Sequence, residues 1–205
     1  MKSFSIAAIL LANFSFAFAQ DVAPSPSQVR PLLIGAVAPD AQLRTMDGNL
    51  ITLKNALAGK PGVVIFYRGG WCPYCNAHLQ EIKGIQKDLT RLGYTTVALS
   101  PDRPEELAKT AKKHDLPYAL LSDSKLEAAR AYGIAFQLDP DMLKAYAHYG
   151  VDLRKSSGEQ HDWLPVPSVF LIGKDGTIKF AYTNPDYKVR LKGSVLLTIA
   201  KETLE

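Results

Sequence analysis

Short runs rich in apolar residues alternate with longer amphipathic stretches along this chain of 205 residues. The apolar runs are typical of strands buried on both faces, and they lie at 63–67, 95–99, 118–121 and 169–172. After the first run, apolar residues spaced by three or four predict a helix from Pro73 to about Arg91, which Gly93 ends. Further helices are predicted from Pro104, at 125–132 and from about Tyr187 to Glu202.

Turn residues organise the rest of the chain. Asp47-Gly48 separates two short extended segments and predicts an N-terminal hairpin, and Asp175-Gly176 predicts a second hairpin that leads into a strand at 178–182. Residues 134–163 interrupt the alternation with one predicted helix and a polar loop, so we interpret them as an insertion. The pattern predicts an α/β fold with a central mixed β-sheet and helices on both faces.

The first nineteen residues have the pattern of a cleavable signal peptide. Lys2 precedes an apolar stretch from Ile6 to Phe18, and Ala17-Phe18-Ala19 fits a small-x-small cleavage site. An uncleaved anchor or a buried first helix is the alternative, but the stretch is short for a membrane span. We therefore predict a periplasmic or secreted bacterial protein, with no stable membrane insertion after cleavage. Its predicted parts are a signal peptide at 1–19, a flexible Pro/Ser-rich leader at 20–32 and one domain at 33–205.

The charge of the chain argues against a nucleic-acid partner. The formal net charge is +4 and falls to +3 when Lys2 is removed with the signal peptide. The basic residues are dispersed, and no Lys/Arg run is longer than Lys112-Lys113. A nucleic-acid-binding face requires a denser basic stripe, so no nucleic-acid partner is expected.

The two cysteines, Cys72 and Cys75, lie where the first buried strand meets the long helix. A helix N-terminus offers unpaired backbone N–H groups and partial positive charge, both of which favour a thiolate. A disulfide between residues three apart closes a very small loop and stabilises the fold little. The spacing therefore indicates redox exchange. A zinc site has only His78 nearby as a further ligand, and haem attachment requires His where Asn76 stands.

The order of elements resembles the thioredoxin fold. A strand, Cys-x-x-Cys and a helix come first, and Val166-Pro167-Ser168 then precedes a strand and an Asp-Gly turn. In that fold the matching proline is cis and lies against the cysteines, which is the role implied for Pro167. Other stretches are similar to the alkyl hydroperoxide reductase/thiol-specific antioxidant (AhpC/TSA) family, the peroxiredoxins: Ala38-Pro39-Asp40, Ser100-Pro101-Asp102 and residues 116–123. The Trp-Cys-Pro-Tyr-Cys segment resembles a peroxiredoxin-like branch, and the similarity extends over about residues 33–200.

This resemblance implies an antioxidant thiol peroxidase with a redox-active disulfide between Cys72 and Cys75. Its substrate would be hydrogen peroxide or an organic hydroperoxide, and a thioredoxin-type or other thiol reductant would recycle it without a cofactor. In the peroxiredoxin register Cys75 is the attacking thiol, and Cys72 takes the place of the usual threonine. In the thioredoxin register Cys72 attacks and Cys75 resolves. The sequence leaves both registers open.

Other residues are candidates for the site because of their position around the cysteines. Arg68 follows the strand and is predicted to stabilise a thiolate or a peroxide oxygen, with Arg190 as a second candidate cation. Trp71 and Tyr74 are predicted to form the substrate loop with Arg190. The insertion could also bring His161 and Asp162 to the site, although an exposed loop histidine is the commoner arrangement.

Two other functions are compatible with these residues. One is a periplasmic thiol–disulfide oxidoreductase that acts on protein disulfides, which fits export and the Cys-x-x-Cys pair equally well. The other is a copper- or zinc-carrying module that uses both thiols and a histidine, although no metal is expected from the cysteine spacing.

Overall fold

The computed structural model describes residues 21–204, so the predicted signal peptide lies outside the described residues. The strands are β1 (Gln42–Arg44), β2 (Leu50–Thr52), β3 (Gly62–Phe66), β4 (Thr95–Ser100), β5 (Ala119–Ser122), β6 (Ala135–Gln137), β7 (Trp163–Pro165), β8 (Ser168–Ile172) and β9 (Ile178–Thr183). The helices are α1 (Leu53–Leu57), α2 (Pro73–Arg91), α3 (Pro104–His114), α4 (Glu127–Ala131), α5 (Pro140–His148), α6 (Leu153–Ser157) and α7 (Gly193–Glu202). None of these helices has the length and apolar character needed to cross a membrane.

Seven strands form one sheet in the order β2-β1-β5-β4-β3-β8-β9. Strands β5, β4 and β3 are parallel to one another, whereas β1 and β8 run antiparallel to their central neighbours. The hairpin of β1 and β2 turns at Gly48, whose positive φ of 81° suits glycine. The predicted α/β fold, with a central mixed sheet and an N-terminal hairpin, is confirmed.

Helices cover both faces of the sheet, which explains why every residue of β3 is buried. Val63 and Ile65 face one core, which α2, α3 and α7 complete. Val64 and Phe66 face the other core, which α1 and α4 complete. Since both faces are packed, the end of β3 is held firmly, and the loop that follows it begins from a rigid point.

The insertion contains more regular structure than its sequence predicts. Strands β6 and β7 pair with each other in a separate two-stranded sheet, and α5 and α6 lie between them. A third apolar cluster lies beneath this unit and includes Phe136, Leu153 and Val166. The two strands escape prediction because each has only three residues, too few for a periodic pattern to emerge.

The segment predicted as a flexible leader lies against the insertion. The Ala23 N–H donates to the Ala135 carbonyl at 2.9 Å, and the Ala23 carbonyl accepts from the Gln137 N–H at 2.8 Å. The Arg30 N–H donates to the Gly133 carbonyl at 2.9 Å. The two bonds of Ala23 satisfy backbone groups that β6 leaves open on the side away from β7. Residues 21–32 are therefore attached to the domain, in contrast to the flexible leader predicted from composition.

The cis peptide bond predicted before Pro167 is wrong. No peptide bond in the described range 21–204 is cis. The chain leaves β7 at Pro165 and enters β8 at Ser168, so it makes no tight turn at Pro167. Without such a turn, the trans form is favoured by about 0.5–1 kcal/mol.

The last helix begins at Gly193, six residues later than predicted. A side-chain oxygen of Glu81, on α2, accepts the Gly193 N–H at 2.8 Å and so satisfies one of the unpaired donors of the first turn. Residues 187–192 instead form a connection that carries Tyr187 and Arg190. The start of α7 is thus set by a contact with a distant helix, which local periodicity does not encode.

Candidate active site

The two cysteines lie side by side at the N-terminus of α2. Cys72 is the N-cap residue, and its Sγ accepts a hydrogen bond from the Cys75 N–H at 3.4 Å. Pro73 follows at the first helical position, where its missing N–H costs nothing. Both thiols are free and only 1% exposed. The structure therefore shows the reduced pair, buried at the junction that the sequence predicts.

The surroundings separate the pKa values of the two thiols. A hydrogen bond from the Cys75 thiol is the main cause that lowers the pKa of Cys72 to about 6. The charges of Arg68 and Arg190 and the Cys75 backbone N–H lower it further, whereas burial opposes them. Burial raises the pKa of Cys75 well above its usual value, and its proton donation to Cys72 adds to that shift. Near neutral pH the pair therefore consists of a Cys72 thiolate and a Cys75 thiol.

Arg68 is a buried cation beside this pair, with only 3% of its surface exposed. Its guanidinium carbon lies 4.0 Å from the ring centroid of Tyr187, 5.1 Å from that of Trp71 and 5.2 Å from that of Tyr146. Such contacts stabilise a desolvated guanidinium through the negative faces of the rings. Burial lowers the pKa of Arg68 and the neighbouring cysteines, Cys72 first, oppose this shift, but a guanidinium remains charged at neutral pH.

Arg190 reaches the pair from the connection before α7. Its Nη2 lies 3.5 Å from the Cys75 Sγ, although 115 residues separate the two in sequence. The ring of Tyr187, in the same connection, packs edge-on against exposed Tyr74, with the ring centroids 5.6 Å apart. The structure thus places both predicted arginines at the cysteines, one beside the loop and one from the C-terminal connection.

The loop before Cys72 is fixed through the peptide groups of Gly70. The Gly70 N–H donates to Asp102 Oδ2 at 2.7 Å, and the Gly70 carbonyl accepts from Asn76 Nδ2 at 2.8 Å. Ser100 Oγ also donates to Asp102 Oδ2, at 3.2 Å. Burial raises the pKa of Asp102 to about 6, although the hydrogen bonds from the Gly70 N–H and the Ser100 hydroxyl oppose the shift. Asp102 therefore anchors the loop that presents Cys72.

Two small cavities, of about 10 and 20 Å³, adjoin Arg68. Trp71, Asp102 and His161 help to line the first, and Pro167 and Tyr187 help to line the second. A volume of about 10–15 Å³ is enough for one water molecule. Each space beside the cation is therefore about the size of a water molecule, and neither cysteine lines it.

The insertion brings His161 near Arg68 but not Asp162. His161 reaches the first cavity, but its Nε2 is engaged with the Ser124 carbonyl at 2.8 Å. Asp162 forms an ion pair with Arg154, with Nη2 and Oδ2 2.6 Å apart, and so does not serve the cysteines. In the described part of the chain, no group of three or more His, Cys, Asp and Glu side chains is arranged to hold a metal ion.

Three contributors to the site are not predicted from the sequence. Tyr146 comes from α5 in the insertion, Tyr187 from the C-terminal connection and Asp102 from the loop after β4. Asp102 carries a usable signal, because parallel β3 and β4 end at the same sheet edge and bring their following loops together. No local pattern distinguishes Tyr146 and Tyr187 from other surface tyrosines.

Replacing Cys75 with alanine is expected to raise the pKa of Cys72, because the variant lacks the thiol proton that stabilises the thiolate. In the wild-type protein, thiolate absorbance and alkylation by iodoacetamide should be half-maximal at about pH 6. Cys75→Ser retains a donor to the thiolate and should stay closer to the wild-type midpoint. Equal titration midpoints of Cys72 in Cys75→Ala and Cys75→Ser would show that the proton of residue 75 does not lower the pKa of Cys72.

A family model and curated relatives match this chain. The model of the AhpC/TSA family matches residues 34–181. Peroxiredoxin Q of Gentiana triflora is 27% identical over 150 residues, which cover 73% of this chain and 58% of the plant protein. Peroxiredoxin Bcp of Escherichia coli (strain K12) is 26% identical over 174 residues, which cover 85% of this chain and 99% of that protein.

The fold agrees with solved structures as well. The crystal structure of peroxidoxin BcpB from Mycobacterium tuberculosis has a TM-score of 0.64 at 20% identity, and the match covers 83% of this chain and 95% of that one. At that identity the likeness supports the thioredoxin-like fold, while the family model extends over most of the domain. This chain belongs to the AhpC/TSA family, the peroxiredoxins.

Proposed function

We propose that this protein is an exported peroxidase in which Cys72 attacks the peroxide and Cys75 resolves the product. Family membership makes it a thiol peroxidase, an oxidoreductase that acts on peroxides. The choice of Cys72 is supported by its lowered pKa, since the thiolate is the attacking form. Its position as the N-cap of α2 agrees with the thioredoxin register rather than the peroxiredoxin one.

The reaction follows from the charges around the pair. The Cys72 thiolate attacks one peroxide oxygen, the O–O bond breaks and Cys72 becomes a sulfenic acid, while the other oxygen leaves and takes up a proton. Cys75 then loses its proton and attacks the Cys72 sulfur, and water leaves as the disulfide forms. Arg68 and Arg190 stabilise the negative charge on sulfur and on the departing oxygen. A thioredoxin-type or other thiol donor reduces the disulfide again.

Rapid mixing of the reduced protein with hydrogen peroxide or cumene hydroperoxide tests this function. Trp71 lies in the loop before the cysteines and provides a fluorescence signal for their oxidation, with thiol titration as a second measurement. Oxidation should be much faster than that of free cysteine thiolate at the same pH. A rate no faster than free cysteine would exclude a specialised peroxidase.

The alternative, an oxidoreductase for protein disulfides, is less consistent with the burial of the pair. A protein disulfide must reach the attacking sulfur of the reduced pair, in which both cysteines are 1% exposed. A peroxide is far smaller than a protein loop and needs only a narrow opening to reach that sulfur. Insulin reduction at a rate comparable to peroxide reduction would favour the alternative.

Export rests on the signal-peptide pattern of residues 1–19. Expression of the full chain in a Gram-negative bacterium, followed by cell fractionation, should place the protein in the periplasm. N-terminal sequencing of that fraction should begin at Gln20. A protein that stays in the cytoplasm and still begins at Met1 would contradict the proposed location.

A further inference from the structure

His78 lies one helical turn after Cys75 on α2, and no step of the proposed reaction uses it. Its side chain is buried, and its Nε2 lies 3.1 Å from the Leu191 carbonyl oxygen. A carbonyl oxygen can only accept a hydrogen bond, so Nε2 carries the proton and donates it. Burial and the charge of Arg190 lower the pKa of His78 to about 4, and the ring is therefore neutral at neutral pH. The side chain of His78 thus fixes a backbone group 113 residues further along the chain.

This hydrogen bond belongs to a row of three contacts between α2 and the segment that leads into α7. Residues three apart on a helix lie along the same face, and this face of α2 meets successive residues of that segment. The contacts pair Cys75 Sγ with Arg190 Nη2 at 3.5 Å, His78 Nε2 with the Leu191 carbonyl oxygen at 3.1 Å, and a Glu81 side-chain oxygen with the Gly193 N–H at 2.8 Å. The backbone just after Arg190 is therefore fixed to the helix that carries the cysteines.

The guanidinium of Arg190 is itself held by long contacts. Its Nη2 lies 3.5 Å from Cys75 Sγ, and its Nη1 donates to the Val189 carbonyl at 3.3 Å. Within residues 21–204, no salt bridge joins Arg190 to a carboxylate. Holding a long arginine side chain in one place costs conformational entropy, which such contacts offset only in part. The position of the guanidinium therefore depends on where the backbone beside it is held.

We propose that His78 is a positioning residue, which keeps Arg190 at the cysteine pair by fixing the Leu191 peptide group. This inference rests on the proposed function, because it concerns a cation that stabilises negative charge on the reacting sulfur. The charge of Arg190 lowers the pKa of both cysteines, so its displacement makes the Cys72 thiolate less stable. His78 exchanges no proton with the thiols in this role. It acts on the chemistry through the backbone of the C-terminal connection.

The test measures the titration midpoint of Cys72 in the reduced protein, by thiolate absorbance and by the pH profile of alkylation with iodoacetamide. Neither measurement uses peroxide, and a midpoint reports acidity even where a variant changes access to the sulfur. His78→Leu lacks the donor to Leu191 and should lower the fraction of Cys72 thiolate at pH 6 at least about twofold, because the guanidinium is no longer held near the pair. His78→Gln retains an N–H donor and should keep most of the wild-type fraction.

A variant at Arg190 shows whether the effect passes through this cation. Arg190→Met should lower the thiolate fraction at least as much as His78→Leu, and the double variant should titrate as Arg190→Met does, because no cation is left to position. Tyr94→Phe is the matched control. It removes a buried hydrogen bond of 3.2 Å from the Tyr94 hydroxyl to the Ala200 carbonyl of α7, and it should leave the midpoint unchanged. Thermal unfolding measures the loss of stability in each variant.

Several outcomes would overturn the proposal. A wild-type midpoint in His78→Leu would do so, as would a midpoint in His78→Gln equal to that of His78→Leu. A double variant that titrates well above Arg190→Met would show that His78 acts on the thiols by another route. An equal change in Tyr94→Phe would reduce the role of His78 to general stability. Failure of the proposed function is seen separately, as slow oxidation of the wild-type protein by peroxide, which leaves all of these midpoints unaffected.

Discussion

Replacing Cys72 with serine is expected to abolish peroxide reduction, whereas Cys75→Ser should complete one turnover and stop as a sulfenic acid. The reason is that the site holds Cys72 as the thiolate and Cys75 as the thiol. Serine at position 72 has no nucleophile of comparable acidity, and serine at position 75 cannot form a disulfide. A sulfenic-acid probe followed by mass spectrometry measures the difference.

The two variants control for each other, because each removes one sulfur atom from the same buried pair. Thermal unfolding of both should be checked, since a hydroxyl at buried position 75 costs stability when it lacks a partner. Sulfenic acid in Cys72→Ser and its absence in Cys75→Ser would reverse the roles. Cys75 would then be the attacking thiol, as in the peroxiredoxin register, and its contact with Arg190 would stabilise its thiolate.

Gly70→Ala is expected to lower the peroxidase rate by about 10- to 100-fold, because it displaces the loop that presents Cys72. A methyl group at this position would overlap the Thr110 hydroxyl and come within 3.1 Å of the Thr110 Cβ. Because the Thr110 Cβ stays at 3.1 Å whichever way its side chain rotates, relief of the close contact also shifts a peptide held by Asp102 and Asn76. Overpacking of this kind also costs about 1–3 kcal/mol of stability. Stopped-flow oxidation and chemical unfolding measure the two effects.

Gly84 provides the matched control within α2. A methyl group there meets nothing within 4 Å, so Gly84→Ala should leave the rate unchanged and add about 0.5–1 kcal/mol of stability. The double variant Gly70→Ala/Thr110→Ala should recover part of the lost rate, because the overlapping hydroxyl is gone. A Gly70→Ala variant as active as Gly84→Ala would show that the loop position does not control the chemistry.

Local patterns suffice for the elements that carry the site. The apolar run of β3 is recognisable because a strand between two helical layers is apolar on both faces. Pro73 and Gly93 mark the limits of α2 because proline suits the first turn of a helix and glycine suits the residue after its end. Patterns fail where three-residue strands pair across the insertion and where Glu81 sets the start of α7. The prediction of a cis peptide bond before Pro167 came from the family resemblance rather than from a local pattern. The chain runs directly from β7 to β8 there with a trans bond.

The amino-acid sequence by itself determined that a Cys-x-x-Cys pair lies between a buried strand and a helix N-terminus, because spacing, periodicity and helix-end chemistry are local properties. Only the tertiary structure decided how the charges are distributed over that pair. Arg190 reaches Cys75 across 115 residues, and Tyr187 and Tyr146 enclose Arg68 from separate segments. The acidity of a thiol depends on charges and burial in three dimensions, so the role of each cysteine follows from the fold rather than from the motif.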